Sequence, residues 1–233
     1  MRGLVEAFTD ALALLIAGDA ALWEVVWLTL RVTGAALFIA TLVGIPVGVT
    51  LGLSRRVPLR GLLIPLIYTG MGLPPVVVGL FVYLFLSREG PLGGLGWLFS
   101  PTGMIVAQTI LALPLVVGLT MAAVESTDPA LPLQLEALGA TRRQVAATTL
   151  LEVRGGVSAA IVAAFGAIIS EVGAVMLVGG NIAGETRVLT TAIVLETRKG
   201  NFALALALGV VLLLLAFAAN FTFYRLEGRG RSA

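Results

Sequence analysis

The sequence predicts an all-α membrane protein with five transmembrane helices, preceded by an amphipathic N-terminal helix. Of the 233 residues 58% are apolar and only 12% are charged, and the mean hydropathy is +1.04. An average globular protein has about 25% charged residues. The charged residues fall in short clusters between apolar runs of about 20 residues, the length that crosses a hydrocarbon core of roughly 30 Å. A disordered chain is thereby excluded.

The first predicted element is a helix that lies in the membrane interface. Leu4, Phe8, Leu12 and Leu15 recur at near-helical spacing, as in amphipathic helices that bind a membrane surface. Acidic residues interrupt this apolar run, and no small-residue cleavage site follows it, which argues against a signal peptide. We assign residues 1–20 to the interfacial helix.

Five apolar runs are long enough to cross the membrane. They cover residues 27–53, 61–86, 102–124, 157–178 and 202–224. The first would be about 40 Å long at 1.5 Å per residue, so it must tilt, bend at its proline or protrude. Its glycines form a smooth stripe that packs either within the chain or against another subunit; they are Gly44, Gly48 and Gly52.

The distribution of arginine sets the predicted orientation. With the N-terminus outside and the C-terminus inside, the inward-facing segments carry most of the basic residues, as the positive-inside rule requires. The sequence therefore predicts a multi-pass protein of the cell membrane. In this orientation residues 125–156 form the only long cytoplasmic segment, which we call the two-helix loop.

Two features inside the spans indicate a polar pathway. Gly72, Pro74 and Pro75 interrupt the second span, where prolines remove backbone donors and force a break; a simple kink is the alternative. Glu171, two residues before Gly173, lies inside the fourth span, and an intramembrane acid marks a functional site. A fixed negative charge would repel an anion, so Glu171 is protonated, paired with Arg or bonded to the backbone of another helix. A structural role is favoured over substrate contact.

Two amides also lie inside the apolar spans. Gln108 is in the third span and Asn220 is in the fifth. Polar side chains within a bilayer are satisfied by hydrogen bonds, frequently to a neighbouring helix. We expect both amides to bond between helices.

The two-helix loop has an architecture of its own. Residues 128–129, Asp-Pro, are a helix start, and Gly139 suits the left-handed conformation that ends a helix. Thr141 and Gln144 form a capping box that opens another helix. The pattern predicts two short helices joined by a glycine turn. Such a rigid projection can transmit force to a partner, whereas an ordinary solvated hairpin is the alternative.

The residue types that are missing exclude several kinds of site. The chain contains no Cys and no His, so disulfides, zinc–imidazole sites and Ser–His or Cys–His catalysis are impossible. The net charge of +2 comes almost wholly from Arg, but no dense basic face of the kind that binds nucleic acid is present. We expect no metal site, no catalytic residue and no nucleic-acid partner.

The two-helix loop, which precedes the penultimate span, resembles the EAA loop of binding-protein-dependent ABC transporter permeases. In that family the loop docks on the ATPase subunit. Counted back from Gly139, the family's Glu falls near Pro132 rather than on Glu136, and the family's Pro falls on Glu152. The resemblance implies that ATPase coupling involves Leu135, Glu136, Ala137, Leu138, Gly139, Ala140, Thr141, Arg142 and Arg143.

Three other stretches resemble the molybdate and tungstate group of these permeases. Residues 72–79, GLPPVVVG, are similar to the second core span of that group. Residues 170–187 resemble a later stretch of the same permeases. The continuation, residues 188–202, looks most like the tungstate permeases. The resemblance implies a type I, molybdate-permease-like ABC importer fold in a single permease domain over residues 1–233. It favours tungstate as the substrate, with molybdate or sulfate as alternatives.

The same resemblance implies a set of partners and a pathway. The partners are a second copy of the chain, a cytoplasmic ABC ATPase dimer, an extracytoplasmic substrate-binding protein and membrane lipid. ATP and Mg²⁺ belong to the ATPase, and this chain binds no cofactor; Lys199 has no glycine-rich loop before it, so it is not part of a P-loop. The candidate pathway residues are Gly72, Pro74, Pro75, Glu171, Gly173, Asn181, Thr186 and Arg187. For Arg187, Arg198 and Lys199 the favoured interpretation is a solvated outer rim paired with Glu185 and Glu196, and ion guidance is the alternative.

Two other classes of protein are less compatible with the sequence. A secondary transporter driven by an ion gradient should show internal repeats and paired intramembrane ionisable groups, and the chain has one firm intramembrane acid and no convincing repeat. A membrane enzyme without His or Cys would need two carboxylates together at membrane depth, and no such pair is present.

Overall fold

The computed structural model describes residues 20–54 and 57–230, together with Thr9 and Ala13. Over these residues it contains ten α-helices, a short 3₁₀ helix at Gly93–Leu95 and no strand. The helices are α1 (Ala20–Leu53), α2 (Arg60–Met71), α3 (Pro75–Leu86), α4 (Pro101–Glu125), α5 (Ala130–Ala137), α6 (Arg142–Glu152), α7 (Arg154–Ile169), α8 (Gly173–Gly179), α9 (Leu189–Arg198) and α10 (Phe202–Gly230). The predicted interfacial helix lies outside the described residues, apart from those two positions.

The apolar helices agree with the predicted class. Three of them, α1, α4 and α10, are long and apolar enough to cross a membrane. The number rises to five if the bent pairs α2–α3 and α6–α7 each count as one span. Trp23 and Trp27 near the start of α1 are 60% and 69% exposed, as expected for an aromatic belt at a membrane interface.

The predicted second span is broken where the sequence places two prolines. Helix α2 ends at Met71, and α3 begins at Pro75 after the extended residue Pro74, whose ψ is 122°. Proline lacks an N–H group and disfavours the helical conformation in the residue before it. The predicted break is therefore confirmed, and its cause is the proline pair.

The predicted fourth span differs from a single continuous helix. Helix α7 ends at Ile169, and α8 begins only at Gly173. No proline marks this interruption, so the local sequence gives no obvious stop signal. The break is held by hydrogen bonds from elsewhere in the chain, which are described below.

The described residues form two compact units, and one of them contains residues 20–36, Pro74–Gln108 and Ile168–Phe221. Apolar side chains from α1, α9 and α10 form one cluster in its core, and side chains from α1, α4 and α8 form a second. Helices α3 and α8 pack so closely that a Cβ on Gly79 would lie 2.5 Å from the Cα of Ala174. This unit contains both helices that begin at a break.

The other unit contains residues Leu37–Leu73, Thr109–Ala167 and Thr222–Ala233, and the glycine stripe of α1 packs against α4 within it. A Cβ on Gly48 would lie 2.7 Å from the carbonyl oxygen of Val117, and one on Gly52 would lie 2.7 Å from the Cβ of Val124. The stripe therefore serves close packing within the chain, which decides between the two alternatives left open by the sequence.

The two intramembrane amides behave differently. The Gln108 Nε2 donates to the carbonyl oxygen of Ile168 on another helix at 3.0 Å, as expected. The expectation for Asn220 is wrong, because its Nδ2 donates to the carbonyl oxygen of Ala216 in its own helix at 2.8 Å. A carbonyl one turn earlier is always within reach of a short polar side chain in a helix.

Candidate functional site

The break between α7 and α8 brings several hydrogen-bonding groups together within the apolar helices. A helix end leaves carbonyl groups without a partner, and a helix start leaves N–H groups without one. In hydrocarbon each unsatisfied group costs several kcal/mol. The hydrogen bond from Gln108 satisfies the carbonyl of Ile168 in the last turn of α7. The Gln108 Oε1 is buried and has no hydrogen-bond partner among the described residues, so it can accept one more bond.

Glu171 forms hydrogen bonds on the other side of the break, at the start of α8. Its side-chain Oε1 accepts a 2.7 Å hydrogen bond from the backbone N–H of Ala174 in the first turn of α8. Its own carbonyl oxygen accepts a 2.9 Å hydrogen bond from the Thr190 hydroxyl. The residue is 6% exposed, and in the described part of the chain no basic side chain forms an ion pair with it. The sequence left three roles open for Glu171: protonation, an ion pair with Arg, or a bond to the backbone of another helix. The structure shows the bond to helix backbone.

Helix α3, which follows the second break, begins beside the start of α8 in the same unit. A Cβ on Gly173 at the start of α8 would lie 2.5 Å from the Cγ2 of Val76 in the first turn of α3. Both helices therefore begin next to each other. Pro74 and Pro75 are exposed, whereas Glu171 is buried. The fold thus brings four of the predicted pathway residues together, while Gly72 is exposed and belongs to the other compact unit.

Thr186 closes a loop that follows α8. It is fully buried, and its hydroxyl donates to the carbonyl oxygen of Gly179 at 2.6 Å. The Thr186 hydroxyl oxygen also accepts a 2.9 Å hydrogen bond from the backbone N–H of Ile182. The hydroxyl thus both donates and accepts a hydrogen bond within the loop, so Thr186 stabilises the loop conformation.

Arg187 and Asn181 are brought together by this loop. The Arg187 Nε donates to Asn181 Oδ1 at 3.3 Å, and one terminal nitrogen donates to the Asn181 carbonyl oxygen at 3.4 Å. Asn181 has a left-handed φ of 54°, a conformation that asparagine tolerates better than most residues. The half-buried guanidinium is therefore held in one orientation.

A charged cluster lies at the end of α9. The Lys199 Nζ donates to a carboxylate oxygen of Glu196 at 2.8 Å, and the Asn201 amide donates to the other oxygen at 3.1 Å. These bonds, with the positive charges of Lys199 and Arg187, lower the pKa of Glu196 below its ordinary value, although burial of the carboxylate works in the opposite direction. The predicted pairing of Lys199 with Glu196 is confirmed, whereas Arg187 donates its hydrogen bonds to Asn181.

The two-helix loop has the predicted architecture. The Asp128 side chain accepts a 2.8 Å hydrogen bond from the N–H of Ala130 at the start of α5. Gly139 has a φ of +85°, which glycine adopts without steric cost. Thr141 and Gln144 form the capping box of α6 in both directions. These contacts give the loop the internal order of a rigid projection.

The turn of this loop presents an apolar side chain. Leu138 is 85% exposed, which is more than any other large apolar residue in the described part of the chain. Arg142 and Arg143 beside it are exposed as well, and Leu135 and Ala140 are half-buried. Exposed apolar groups next to charged groups are typical of surfaces that bind a partner.

The sequence did not single out Thr29, which helps to hold the loop that follows α8. Its hydroxyl accepts a 2.9 Å hydrogen bond from the N–H of Leu189 at the start of α9, and it donates to the carbonyl oxygen of Val25. A threonine inside an apolar helix is a weak signal, because most such residues bond only to their own helix.

Broken apolar helices and a rigid two-helix loop in the same chain are features of a membrane transport permease. The family model for the binding-protein-dependent transport system inner membrane component matches residues 44–232, and the chain belongs to this family of ABC transporter permease subunits. It is 39% identical to the tungstate uptake system permease protein TupB of Peptoclostridium acidaminophilum, over 97% of this chain and 99% of that protein.

Two further relatives and one solved structure agree with this assignment. The chain is 44% identical to a probable anion ABC transporter permease protein of Haloferax volcanii, over 82% of this chain and 84% of that one. It is 30% identical to the molybdenum transport system permease protein ModB of Escherichia coli, over 73% of this chain and 77% of that protein. A chain of the methionine ABC transporter MetNI, seen in an inward-facing conformation, matches with a TM-score of 0.73 and 19% identity, over 90% of this chain and 95% of that chain. The fold is therefore that of a type I ABC permease.

Proposed function

We propose that this chain is the permease subunit of a tungstate importer driven by a separate ATPase. Two copies form the pathway, an extracytoplasmic binding protein delivers the oxyanion, and a cytoplasmic ATPase dimer hydrolyses ATP. The N-terminus lies outside and the C-terminus inside. The substrate assignment is supported by the 39% identity to a tungstate permease over 97% of the chain.

The observation that carries the energy-coupling role is the exposure of Leu138 at the glycine turn. An apolar side chain that is 85% exposed gains roughly 1.5–3 kcal/mol when a partner buries it. The capping box and the left-handed Gly139 fix its position, so a displacement of the partner moves the loop rather than deforming it. Arg142 and Arg143 supply charges that select an acidic partner surface.

The pathway residues divide into donors and supports. Arg187 is held by Asn181 through two of its guanidinium nitrogens. Its remaining N–H groups can donate to the oxygens of a tetrahedral dianion, which arginine recognises well. Glu171 is kept away from the anion because its carboxylate is engaged by α8. A single oriented cation gives a weak and transient contact, which lets the cargo leave, whereas high affinity belongs to the binding protein.

Reconstitution tests this proposal directly. Liposomes that contain the permease with its ATPase, supplied with binding protein and Mg-ATP, should accumulate tungstate. Liposomes with the permease alone should not. The Arg187→Gln variant should lower the tungstate uptake rate by about tenfold, as for a lost charge-assisted contact. Arg88→Gln, at an exposed arginine, is the matched control.

Two results would reject parts of the proposal. Uphill uptake by the permease alone would identify a secondary transporter. Molybdate uptake that exceeds tungstate uptake at equal concentration, in the presence of the cognate binding protein, would assign the chain to molybdate instead, which is the substrate class named for its 30% identical relative.

A further inference from the structure

Arg60 joins the ends of three helices. It is the first residue of α2, and its Nη1 donates to the carbonyl oxygens of Leu51 and Ser54 at the end of α1, the latter at 2.7 Å. Its Nη2 donates to Glu125 Oε1 at 2.6 Å. Glu125 is the last residue of α4 and the first residue of the two-helix loop. One guanidinium therefore connects α1, α2 and the root of that loop.

Only arginine can make this set of contacts. Its planar guanidinium offers five donors in a fixed fork, whereas the ammonium of lysine is a compact point charge. Carbonyl groups at a helix C-terminus carry partial negative charge and attract a cation. The Arg60 side chain is 20% exposed and that of Glu125 is 40% exposed, so solvent only partly screens the pair.

The backbone before Arg60 is held in an unfavourable conformation. Leu59 has a φ of 57° and a ψ of 20°, in the left-handed region that residues with a Cβ avoid. Its side chain is 74% exposed, so apolar burial does not offset this strain. Strained residues of this kind persist only where surrounding contacts hold them. The hydrogen bonds of Arg60, the next residue in the chain, are contacts that can hold Leu59 in this conformation.

Packing at the same place prevents the helices from sliding. A Cβ on Gly52 would lie 2.7 Å from the Cβ of Val124 and 3.1 Å from the carbonyl oxygen of Met121. The last turns of α1 and α4 are thus in direct contact, one residue away from the Arg60–Glu125 pair. A movement of the loop root must carry the end of α1 with it.

We infer that Arg60 is a positioning residue of the transport cycle, which locks the root of the two-helix loop to α1 and α2. A displacement of the loop by its ATPase then moves the end of α1 and the start of α2. The residue touches no substrate. This inference rests on the proposed function, because it requires a partner that moves the loop.

The test measures the number of tungstate ions transported per ATP hydrolysed, in liposomes with the ATPase and the binding protein. In Arg60→Ala and Arg60→Lys this ratio should fall at least about tenfold while ATP hydrolysis stays within about twofold, because neither side chain spans three acceptors. Glu125→Gln should stay within about threefold, since its amide oxygen still accepts from Arg60. Arg88→Gln is the control and should not change the ratio.

An unchanged ratio in Arg60→Ala would overturn the inference. A parallel fall of uptake, ATP hydrolysis and folded complex in Arg60→Lys would also overturn it, because it would show a role in folding alone. If the wild-type complex itself fails to couple ATP hydrolysis to uptake, the proposed function fails instead.

A second measurement does not depend on transport. The chain has no Cys, so spin labels at Leu62→Cys on α2 and Ala122→Cys on α4 report one distance between two exposed positions. The distance should be narrow and independent of a bound ATP analogue in the wild-type complex. Arg60→Ala should broaden it. A distribution as narrow as that of the wild type would contradict the proposed lock.

Discussion

The carboxylate of Glu171 accepts a 2.7 Å hydrogen bond from the backbone N–H of Ala174, three residues further along the chain. Glu171 stands one residue before Val172, the N-cap of α8, and its carboxylate satisfies one of the first N–H groups of that helix as a capping side chain does. It lets α8 begin within an apolar region although no preceding turn satisfies its first N–H groups. The intramembrane acid is therefore part of the scaffold around the break.

Substitution of Glu171 separates its charge from its hydrogen bond. Glu171→Ala should lower the free energy of unfolding by about 0.5–2 kcal/mol, the range for a lost helix cap. Glu171→Gln should retain most of the stability, because its amide oxygen still accepts from Ala174. Thermal unfolding of both variants in detergent checks this. Equal destabilisation of the two would show that the negative charge, rather than the acceptor, matters.

Replacement of Gly139 should disable the two-helix loop. Proline fixes φ near −65°, whereas Gly139 has a φ of +85°, so Gly139→Pro removes the turn between α5 and α6. We expect loss of ATP-driven uptake with normal membrane insertion. Gly209→Ala, at a helical glycine with open space around its Cβ position, is the control. Normal uptake in Gly139→Pro would contradict a docking role for the loop.

The glycine stripe predicts a contrast between two substitutions on the same helix. Gly48→Ala should destabilise the protein by about 1–3 kcal/mol through overpacking, because its Cβ would meet the backbone oxygen of Val117 at 2.7 Å. Gly34→Ala meets nothing within 4 Å and should be neutral or stabilising by about 0.5–1 kcal/mol. Thermal midpoints of the two variants are the measurement, and equal midpoints would exclude the close contact.

Acid sensitivity should depend on Lys199. The folded protein lowers the pKa of Glu196 below 4.5, so the ionised carboxylate contributes stability above that pH and loses it as the pH falls through the lowered pKa. Lys199→Gln removes the largest cause and should make stability less dependent on pH below about 5. The effect is under about 1 kcal/mol, because the Lys199 side chain is 55% exposed. The free energy of unfolding between pH 3 and pH 7 is the measurement, with Arg88→Gln as the control. An identical pH dependence in the wild type and in Lys199→Gln would contradict this prediction.

Local signals in the sequence were sufficient for several elements. The proline pair at 74–75 breaks the second predicted span, and Thr141 with Gln144 starts α6, because each effect acts within one helical turn. The left-handed Gly139 follows from the same kind of local rule. Residue type and spacing over a few positions were enough in these cases.

Long-range contacts were not visible in the same way. The bond from Arg60 to Glu125 spans 65 residues, and that from Thr29 to Leu189 spans 160. Whether an amide bonds to its own helix or to another helix also depends on the tertiary structure. Gln108 bonds to Ile168 on another helix, whereas Asn220 bonds to Ala216 in its own helix. A polar residue in an apolar run predicts that a bond exists, but it does not name the partner.

The sequence by itself determined that this chain is helical, lies in a membrane and carries a rigid two-helix loop, because hydropathy, proline and capping act locally. Only the tertiary structure decided that the fourth predicted span breaks at Ser170, that Glu171 caps the helix after it, and that the glycine stripe packs against α4. These features depend on which distant groups come within about 3 Å of each other, a distance that hydrogen bonds require and that no local pattern encodes.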